Sequence, residues 1–260
     1  SGVMHRSFLG HEDRIRRVFD LCHAAQLPTI LYYSVIFNNA EYDRHPDWRM
    51  RDPNGDGSRA HGSRYGLCCP NNPDYRTFLK EQIREMHEYF DFEGIFYDMS
   101  FWPEVCYCPS CRKRYREEFG GEIPTIADWN DPTWNRFVRR REEWMGEFAS
   151  FLTAEIKRLR PEVSVEHQYS TSVKFWRFGQ NDNIAAASDY IGTDLYGGPS
   201  GVRPAAAAGM ECETHGDGTL RQLVRDGGIQ GGDGAGFEAG GGVCGYGKRD
   251  CPAAGHRGRI

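Results

Sequence analysis

The segment from Glu93 to Cys111, EGIFYDMSFWPEVCYCPSC, combines a carboxylate with a cluster of cysteines. Gly94 to Tyr97 predicts a short buried strand, and Asp98 follows where that hydrophobic run stops. Active sites of parallel α/β folds lie at the carboxyl ends of the strands. A carboxylate at that place, with aromatic rings close behind it, can face an oxocarbenium-like sugar centre. The alternative interpretation of Asp98 is a turn residue or a helix cap.

A glycosidase that used Asp98 as one of its two carboxyl groups would need a second one. Two candidates lie near the ends of predicted strands. Glu166 is near the end of the predicted strand Val163 to His167, and Asp194 is near the end of the predicted strand Asp189 to Leu195. Because strand side chains alternate between faces, each carboxylate could point inwards or outwards. The alternatives are an ordinary salt bridge for Glu166 and a turn for Asp194. Glu166 is our candidate for the acid/base.

Aromatic and polar side chains at the same strand ends are candidate sugar contacts. They are Tyr33, Trp102, His167, Asp194 and Tyr196. Of the neighbours Tyr32 and Tyr33, at most one can point into a barrel, because their side chains lie on opposite faces of a strand. A lone histidine is also often a structural residue with satisfied hydrogen bonds, which is the alternative for His167.

The cysteine spacing predicts a metal site. Cys106-x-Cys108-x2-Cys111 places three thiols on one tight loop, and Cys68 or Cys69 could supply a fourth. Four thiolates close a tetrahedral zinc site without an open position, so the zinc would be structural. Free core cysteines are the alternative. The total of nine cysteines is odd and five of them fall between residues 68 and 111, which disfavours a disulfide framework.

The elements that would position these residues alternate between helix and strand. An amphipathic stripe predicts a helix from His11 to Ala25, and the apolar run Thr29 to Phe37 predicts a buried strand. The polar, Gly-rich residues 38–69 predict a long loop. Asn72 and Pro73 then begin a second helix that leads into the central strand. Two such steps in succession predict an α/β fold with a parallel sheet and outer helices.

The pattern continues in the second half of the chain. Helices are predicted at Arg112 to Phe119, Thr133 to Leu159 and Asn181 to Ala187. The RRREE run at 139–143 within the long helix predicts a solvent-exposed face with i,i+4 ion pairs.

Beyond about Arg203 the apolar periodicity disappears, and residues 201–260 hold 17 of the 31 glycines. We therefore divide the chain into a folded domain, residues 1–201, and a Gly-rich tail, residues 202–260. The tail is either disordered or the product of a shifted reading frame.

Composition narrows the functional classes. The net charge of −5 and the pI of about 6.0 do not indicate the excess of basic residues that is typical of proteins binding nucleic acids or anionic membranes. No apolar run approaches the roughly 20 residues of a membrane span, and the first residues lack the pattern of a signal peptide. We expect a cytoplasmic protein with a carbohydrate substrate and no membrane or nucleic-acid partner. Whether it forms a homo-oligomer is open.

Two sets of motifs resemble known glycosidases. YCPSCRKRYREEFG at 107–120, together with CPNNPDYR at 69–76, resembles family 42 β-galactosidases, in which a cysteine before a similar helix joins a C-x-C-x2-C run in binding zinc. This resemblance favours Cys69 over Cys68. LYYS at 31–34 and EGIFYDM at 93–99 resemble family 29 α-L-fucosidases, whose corresponding strand ends in the nucleophilic aspartate.

The combination resembles a group of hypothetical glycosyl hydrolases that includes the family 151 fucosidases, over about residues 3–201. It implies a partial (β/α)8 TIM barrel in which the four predicted strands are numbers three to six. Strands one and two would precede Ser1, and strands seven and eight would follow residue 201. It also implies a retaining exo-glycosidase acting on α-L-fucosides, with Asp98 as nucleophile and structural zinc on Cys69, Cys106, Cys108 and Cys111.

Two departures from these families leave alternatives open. Family 42 enzymes carry an Asn-Glu pair where this chain has Tyr97-Asp98, and family 29 enzymes lack the cysteine cluster. One alternative is a β-galactosidase-like enzyme with Asp98 in the acid/base position. The other is an inactive, carbohydrate-binding barrel fragment, since an incomplete barrel leaves open sheet edges.

Overall fold

The structure is a computed structural model that describes residues 13–169, 175–190 and 192. Helices and parallel strands alternate along it. The helices are α1 (Arg14–Ala24), α2 (Asn39–Arg44), α3 (Pro73–Tyr89), α4 (Pro109–Phe119), α5 (Pro132–Leu159), α6 (Phe175–Phe178) and α7 (Asp182–Ala186). The strands are β1 (Ile30–Ser34), β2 (Gly94–Asp98) and β3 (Ser164–His167), and short 3-10 turns cover Pro46–Trp48 and Ser58–His61.

The three strands form one parallel sheet in the order β1-β2-β3. Ser34 pairs with Asp98 at the carboxyl ends of β1 and β2, and Tyr97 pairs with His167. A parallel bridge between Glu166 and Tyr190 extends the pairing beyond β3. This confirms the α/β class and the parallel sheet. The closed barrel stays a prediction, because most of the predicted strand Asp189 to Leu195 lies outside the described residues.

The two faces of the sheet differ in what covers them. Ile95, Tyr97 and Val165 are fully buried on the face that packs against the helices. On the opposite face, Ile30 and Tyr32 are 56% and 58% exposed. This second face, which we call the open face, would be the interior of a barrel if the sheet closed.

Local sequence explains where the main helices begin. Asn72 caps α3 by accepting a hydrogen bond from the Tyr75 backbone N–H at 2.9 Å, and Pro73 occupies the first turn. Asp131 caps α5 in the same way. Helix α5 is 28 residues long and packs against α3 and α7, and its apolar side forms much of the core.

The segment 38–69 is more ordered than predicted. Asn38 caps the short helix α2 by accepting from the Glu41 backbone N–H, and the bridges Phe37–Leu67 and Arg49–Cys68 close the segment on itself. The prediction of a long loop missed this cap signal, an asparagine followed three residues later by a glutamate.

The predicted domain of residues 1–201 is described over most of its length, whereas residues 202–260 lie outside the described residues. Within the described part of the chain, no helix is both long enough and apolar enough to cross a membrane.

Candidate active site and candidate metal centre

Asp98 is the last residue of the central strand, and its side chain lies on the open face. It is 5% exposed, and its carboxylate accepts a hydrogen bond from the hydroxyl group of Tyr32, the residue on the neighbouring strand that shares this face. The Tyr32 ring in turn meets Phe96 edge to face, with centroids 5.7 Å apart. The carboxylate is therefore held in a defined orientation at the carboxyl edge of the sheet.

The turn after Asp98 is strained. Met99 has a φ of +63°, which non-glycine residues adopt uncommonly. Its backbone N–H donates to the side-chain oxygen of Gln168 at 2.9 Å, and the Ser100 hydroxyl donates to the Tyr97 carbonyl at 3.0 Å. Strained backbone held by surrounding hydrogen bonds often accompanies functional sites. Gln168 was not among our predicted site residues, since only the register beyond β3 reveals that it reaches this turn.

Glu166 lies on the same face as Asp98, one pleat earlier on the neighbouring strand. With strands ~4.8 Å apart and a rise of ~3.3 Å per residue, the two Cα atoms are roughly 8 Å apart. A Cβ at Gly192 would come within 1.6 Å of a Glu166 carboxylate oxygen, so this carboxylate lies against the Gly192 backbone. The structure thus brings both predicted carboxylates to one face, with Glu166 beside Gly192.

Two predicted sugar contacts lie on the helix face instead. Tyr33 faces the side of Cys68 and Glu85, and its burial raises the pKa of its phenol. His167 is fully buried, stacks on Tyr97 and places its ring nitrogens 3.1 Å from the Ser100 hydroxyl oxygen and 2.8 Å from that of Thr153. Side chains alternate between the two faces of a strand, and the sequence alone did not show which face each residue takes. The register of the sheet places Tyr33 and His167 on the helix face.

The burial of His167 predicts a pH dependence of stability. Loss of hydration lowers its pKa to about 3, from an ordinary value near 6.5. Between these values the unfolded chain binds a proton that the folded chain does not, so stability falls as pH drops from about 6.5 towards 3, at up to ~1.4 kcal/mol per pH unit. His167→Gln should flatten this slope by one proton in urea unfolding between pH 7 and pH 4.

The matched control is His61→Gln, which changes a histidine side chain that is 57% exposed. It should leave the slope close to that of the unsubstituted protein. If the free energy of unfolding of the His167→Gln protein depends on pH as steeply as that of the unsubstituted protein, this imidazole is not the group that couples folding to proton binding.

Trp102 is also a core residue. It is 1% exposed, and its indole N–H donates to the Arg141 carbonyl at 2.9 Å. A Cβ at Gly179 would meet its ring at 2.7 Å, so the ring is enclosed on that side too. The remaining predicted contacts, Asp194 and Tyr196, lie outside the described residues.

Arg141 contradicts the prediction of a solvent-exposed RRREE face. Its side chain is 1% exposed, and burial lowers its pKa to about 10. The guanidinium donates to the carbonyls of Glu104 at 3.2 Å, Arg177 at 2.9 Å and Trp176 at 3.4 Å. It therefore ties the loop after β2 to the segment after β3. A charge run in the sequence does not distinguish a residue that turns inward from its exposed neighbours.

The four predicted metal ligands come together. The sulfur atoms of Cys69, Cys106, Cys108 and Cys111 all lie within 4.8 Å of one another, and all four residues are buried. The Cys69 and Cys111 sulfurs are 3.5 Å apart. Sulfurs in a tetrahedral zinc–thiolate site are about 3.8 Å apart for a ~2.3 Å bond, so the cluster fits such an ion. Cys68 lies outside it and approaches the Asn38 carbonyl.

The surroundings of this cysteine cluster suit thiolate ligands. Asn71 donates its backbone N–H to the Cys69 sulfur and its side-chain N–H to the Cys111 sulfur, both at 3.4 Å. Burial raises the pKa of the Cys69 and Cys111 thiols. Ionising all four sulfurs at neutral pH therefore needs compensating positive charge, which Arg76 and Arg141 supply in part from nearby.

No protein-family model and no curated protein matches the chain. Among solved structures, the PgaB (BpsB) glycoside hydrolase domain from Bordetella bronchiseptica is 13% identical with a TM-score of 0.59, covering 76% of this chain and 62% of that one. A β-galactosidase from the Antarctic haloarchaeon Halorubrum lacusprofundi is 14% identical with a TM-score of 0.57, covering 85% of this chain and 44% of that one. The β-galactosidase from Bacillus circulans sp. alkalophilus is 15% identical with a TM-score of 0.56, covering 77% and 35%.

These three likenesses concern the fold. The chain spans between about a third and about two thirds of the length of the three structures. All three are described as a glycoside hydrolase domain or a β-galactosidase. The described residues therefore have the fold of part of a glycoside hydrolase.

Proposed function

We propose that the chain is part of a retaining exo-glycosidase that acts on α-L-fucosides, with Asp98 as its nucleophile. The observation that carries this proposal is the position of Asp98 at the carboxyl end of the central parallel strand, on the open face and oriented by Tyr32. The likeness to glycoside hydrolase folds supports the reaction class. The choice of fucosides rests on the resemblance of LYYS and EGIFYDM to fucosidases.

In this reaction the Asp98 carboxylate attacks the anomeric carbon while the bond from that carbon to the leaving oxygen breaks. A carboxylic acid donates its proton to the leaving oxygen and then, as a carboxylate, removes a proton from the water that hydrolyses the glycosyl–Asp98 ester. Glu166 is our candidate for that group because it shares the open face with Asp98. Retention requires the two carboxyl groups to lie about 5–5.5 Å apart in the reacting complex.

We also propose that Cys69, Cys106, Cys108 and Cys111 hold a structural zinc ion. Zinc would join the loop after β2 to the residues before α3 and leave no open coordination position for chemistry. The roles of the cysteines and of Asp98 are therefore separate.

The test of the reaction is a comparison of 4-nitrophenyl α-L-fucoside with 4-nitrophenyl β-D-galactoside, with the released sugar's anomer followed by NMR. We expect kcat/KM for the fucoside to exceed that for the galactoside by at least about 100-fold, since a pocket that hydrogen-bonds one sugar leaves polar groups unpaired with another. The α-anomer of fucose should appear first.

The second candidate is a β-galactosidase-like enzyme in which Asp98 is the acid/base. The observation that favours it is the assembled cysteine cluster, the feature that resembles family 42 enzymes. A preference for the galactoside would establish this candidate and remove the first. Hydrolysis of neither glycoside would leave the non-catalytic, sugar-binding alternative.

A further inference from the structure

The peptide unit that joins Asp98 to Met99 is held from both sides of the sheet. Its carbonyl oxygen accepts a hydrogen bond from the Val35 backbone N–H at 3.2 Å, on the side of β1. Its N–H donates to the side-chain oxygen of Gln168 at 2.9 Å, on the side of β3. The peptide next to the Asp98 carboxylate is therefore fixed by one main-chain and one side-chain hydrogen bond.

The bond to Gln168 replaces a regular bond of the sheet. The Gln168 backbone N–H donates to the Tyr97 carbonyl at 3.0 Å, so the ladder between β2 and β3 continues to this residue. In a continued parallel ladder, the Met99 N–H would next donate to the main-chain carbonyl of Gln168. That carbonyl instead accepts the side-chain N–H of Gln180 at 3.1 Å. The Gln168 side chain thus supplies the hydrogen bond at the point where β2 ends.

A side-chain acceptor suits this point because the chain leaves the sheet at Met99. The φ of +63° turns the backbone out of the extended conformation, into a region that residues other than glycine adopt only under steric strain. The carbonyl of Gln168 is fixed by its strand, whereas its side chain has three rotatable bonds and can follow the displaced N–H. Gln168 is 5% exposed, so this hydrogen bond is largely shielded from water.

The peptide after Asp98 also determines where the carboxylate lies. The carboxylate is on the open face, where it accepts a hydrogen bond from the Tyr32 hydroxyl group. If the Asp98–Met99 peptide rotated, the main-chain angles of Asp98 would change and the carboxylate would move relative to Tyr32. A misplacement of about 1 Å can lower the rate of an enzyme by about 100-fold.

We propose that Gln168 is a positioning residue for the nucleophile: its side-chain amide holds the Asp98–Met99 peptide, and this fixes the direction of the Asp98 carboxylate. Its part in the reaction is indirect, through the peptide and not through contact with the sugar. The kinetic consequence rests on the proposed glycosidase function. The hydrogen bond and the placement of the carboxylate can both be measured without turnover.

The test observes the Met99 amide directly. Asp98–Met99 is the only Asp-Met pair in the sequence, so isotope labelling of aspartate carbon and methionine nitrogen isolates this peptide in NMR spectra. Gln168→Met keeps the length of the side chain and removes the acceptor. We expect hydrogen exchange of the Met99 amide to become about tenfold faster, which corresponds to the loss of one hydrogen bond. The Asp98 Cγ signal should move as well.

Turnover is measured on the same proteins. The glycoside is whichever of the two 4-nitrophenyl substrates the unsubstituted protein hydrolyses. In the Gln168→Met protein, kcat should fall by about 10- to 100-fold while KM changes by less than about twofold. A role in stability alone would lower the urea midpoint and leave kcat of the folded protein unchanged.

The matched control is Gln180→Met. It makes the same substitution and removes a hydrogen bond to the same residue, but leaves the acceptor of the Met99 N–H in place. Met99 exchange, the Asp98 signal and kcat should stay close to those of the unsubstituted protein. Gln168→Glu retains an acceptor oxygen and should keep exchange slow. Gln168→Asn is too short to reach and should accelerate exchange, so the test does not depend on the folding of Gln168→Met.

The outcomes separate the two proposals. Equal Met99 exchange in the Gln168→Met and Gln180→Met proteins would show that Gln168 does not hold the turn. Faster exchange with an unchanged Asp98 signal or an unchanged kcat would show that it does not position the carboxylate. Both results leave the glycosidase proposal intact. If the unsubstituted protein hydrolyses neither glycoside, the glycosidase proposal fails, and the exchange rates with the Asp98 signal decide the role of Gln168.

Discussion

Replacing Asp98 by asparagine is expected to lower kcat/KM for 4-nitrophenyl α-L-fucoside by at least about 10³-fold, as removal of a catalytic nucleophile does in other enzymes. An amide has almost the shape of the carboxylate, and its oxygen can still accept the Tyr32 hydrogen bond. The loss should therefore come from chemistry and not from folding. Initial rates with the chromogenic substrate measure it, and circular dichroism checks the fold.

Asp91→Asn makes the same chemical change before β2 instead of at its end. The Asp91 side chain is 72% exposed, so its replacement should leave turnover nearly unchanged. Rates that are equal in the Asp98→Asn and Asp91→Asn proteins would rule out Asp98 as the nucleophile. If azide restores turnover to an Asp98→Gly protein, in which removal of the side chain leaves room for it, the anomer of the glycosyl azide formed identifies the face that Asp98 attacks.

Cys69→Ala is expected to remove bound zinc and destabilise the domain by several kcal/mol, because a closed thiolate site contributes its binding free energy to folding. The three remaining cysteines are then buried without the ion that would hold them together. Zinc content by elemental analysis and the urea midpoint before and after chelation measure the two effects. In the unsubstituted protein, chelation should lower the midpoint towards that of the Cys69→Ala protein.

The neighbouring residue provides the control. Cys68 and Cys69 are adjacent and fully buried, but the Cys68 sulfur lies outside the cluster. Cys68→Ala should therefore keep one zinc ion per chain, with a smaller loss of stability from the cavity alone. Stoichiometric zinc in the Cys69→Ala protein, or its loss in the Cys68→Ala protein, would overturn the assigned ligand set.

Local sequence predicted the parts of the fold that depend on local signals. The cap at Asn72, the buried strand before Asp98 and the cysteine spacing each act over a few residues, and the structure confirms the helix, the strand and the clustering. Asp98 is a candidate site residue because the end of a hydrophobic strand is visible in the sequence, and the structure confirms that β2 ends there. The choice between Cys68 and Cys69 came from a resemblance and is matched by the geometry.

What sequence could not predict depends on register and on packing between distant segments. Tyr32 and Tyr33 differ only in which face of β1 they occupy, and that choice depends on the pairing with β2. His167 and Trp102 were plausible sugar contacts by residue type. In the structure both side chains are buried by α5 and the segments that pack against it. Arg141 is the clearest case, since its hydrogen-bond acceptors at 104 and 177 are more than 30 residues away.

The buried guanidinium of Arg141 also constrains how this edge of the sheet can move. Each of its hydrogen bonds to a carbonyl is charge-assisted, and breaking one inside the core costs about 1.5–3 kcal/mol. Because the same group holds Glu104 on one side and Arg177 on the other, neither segment can swing away alone without that cost. The loop after β2 and the segment after β3 should therefore move together, as one unit, at this edge of the sheet.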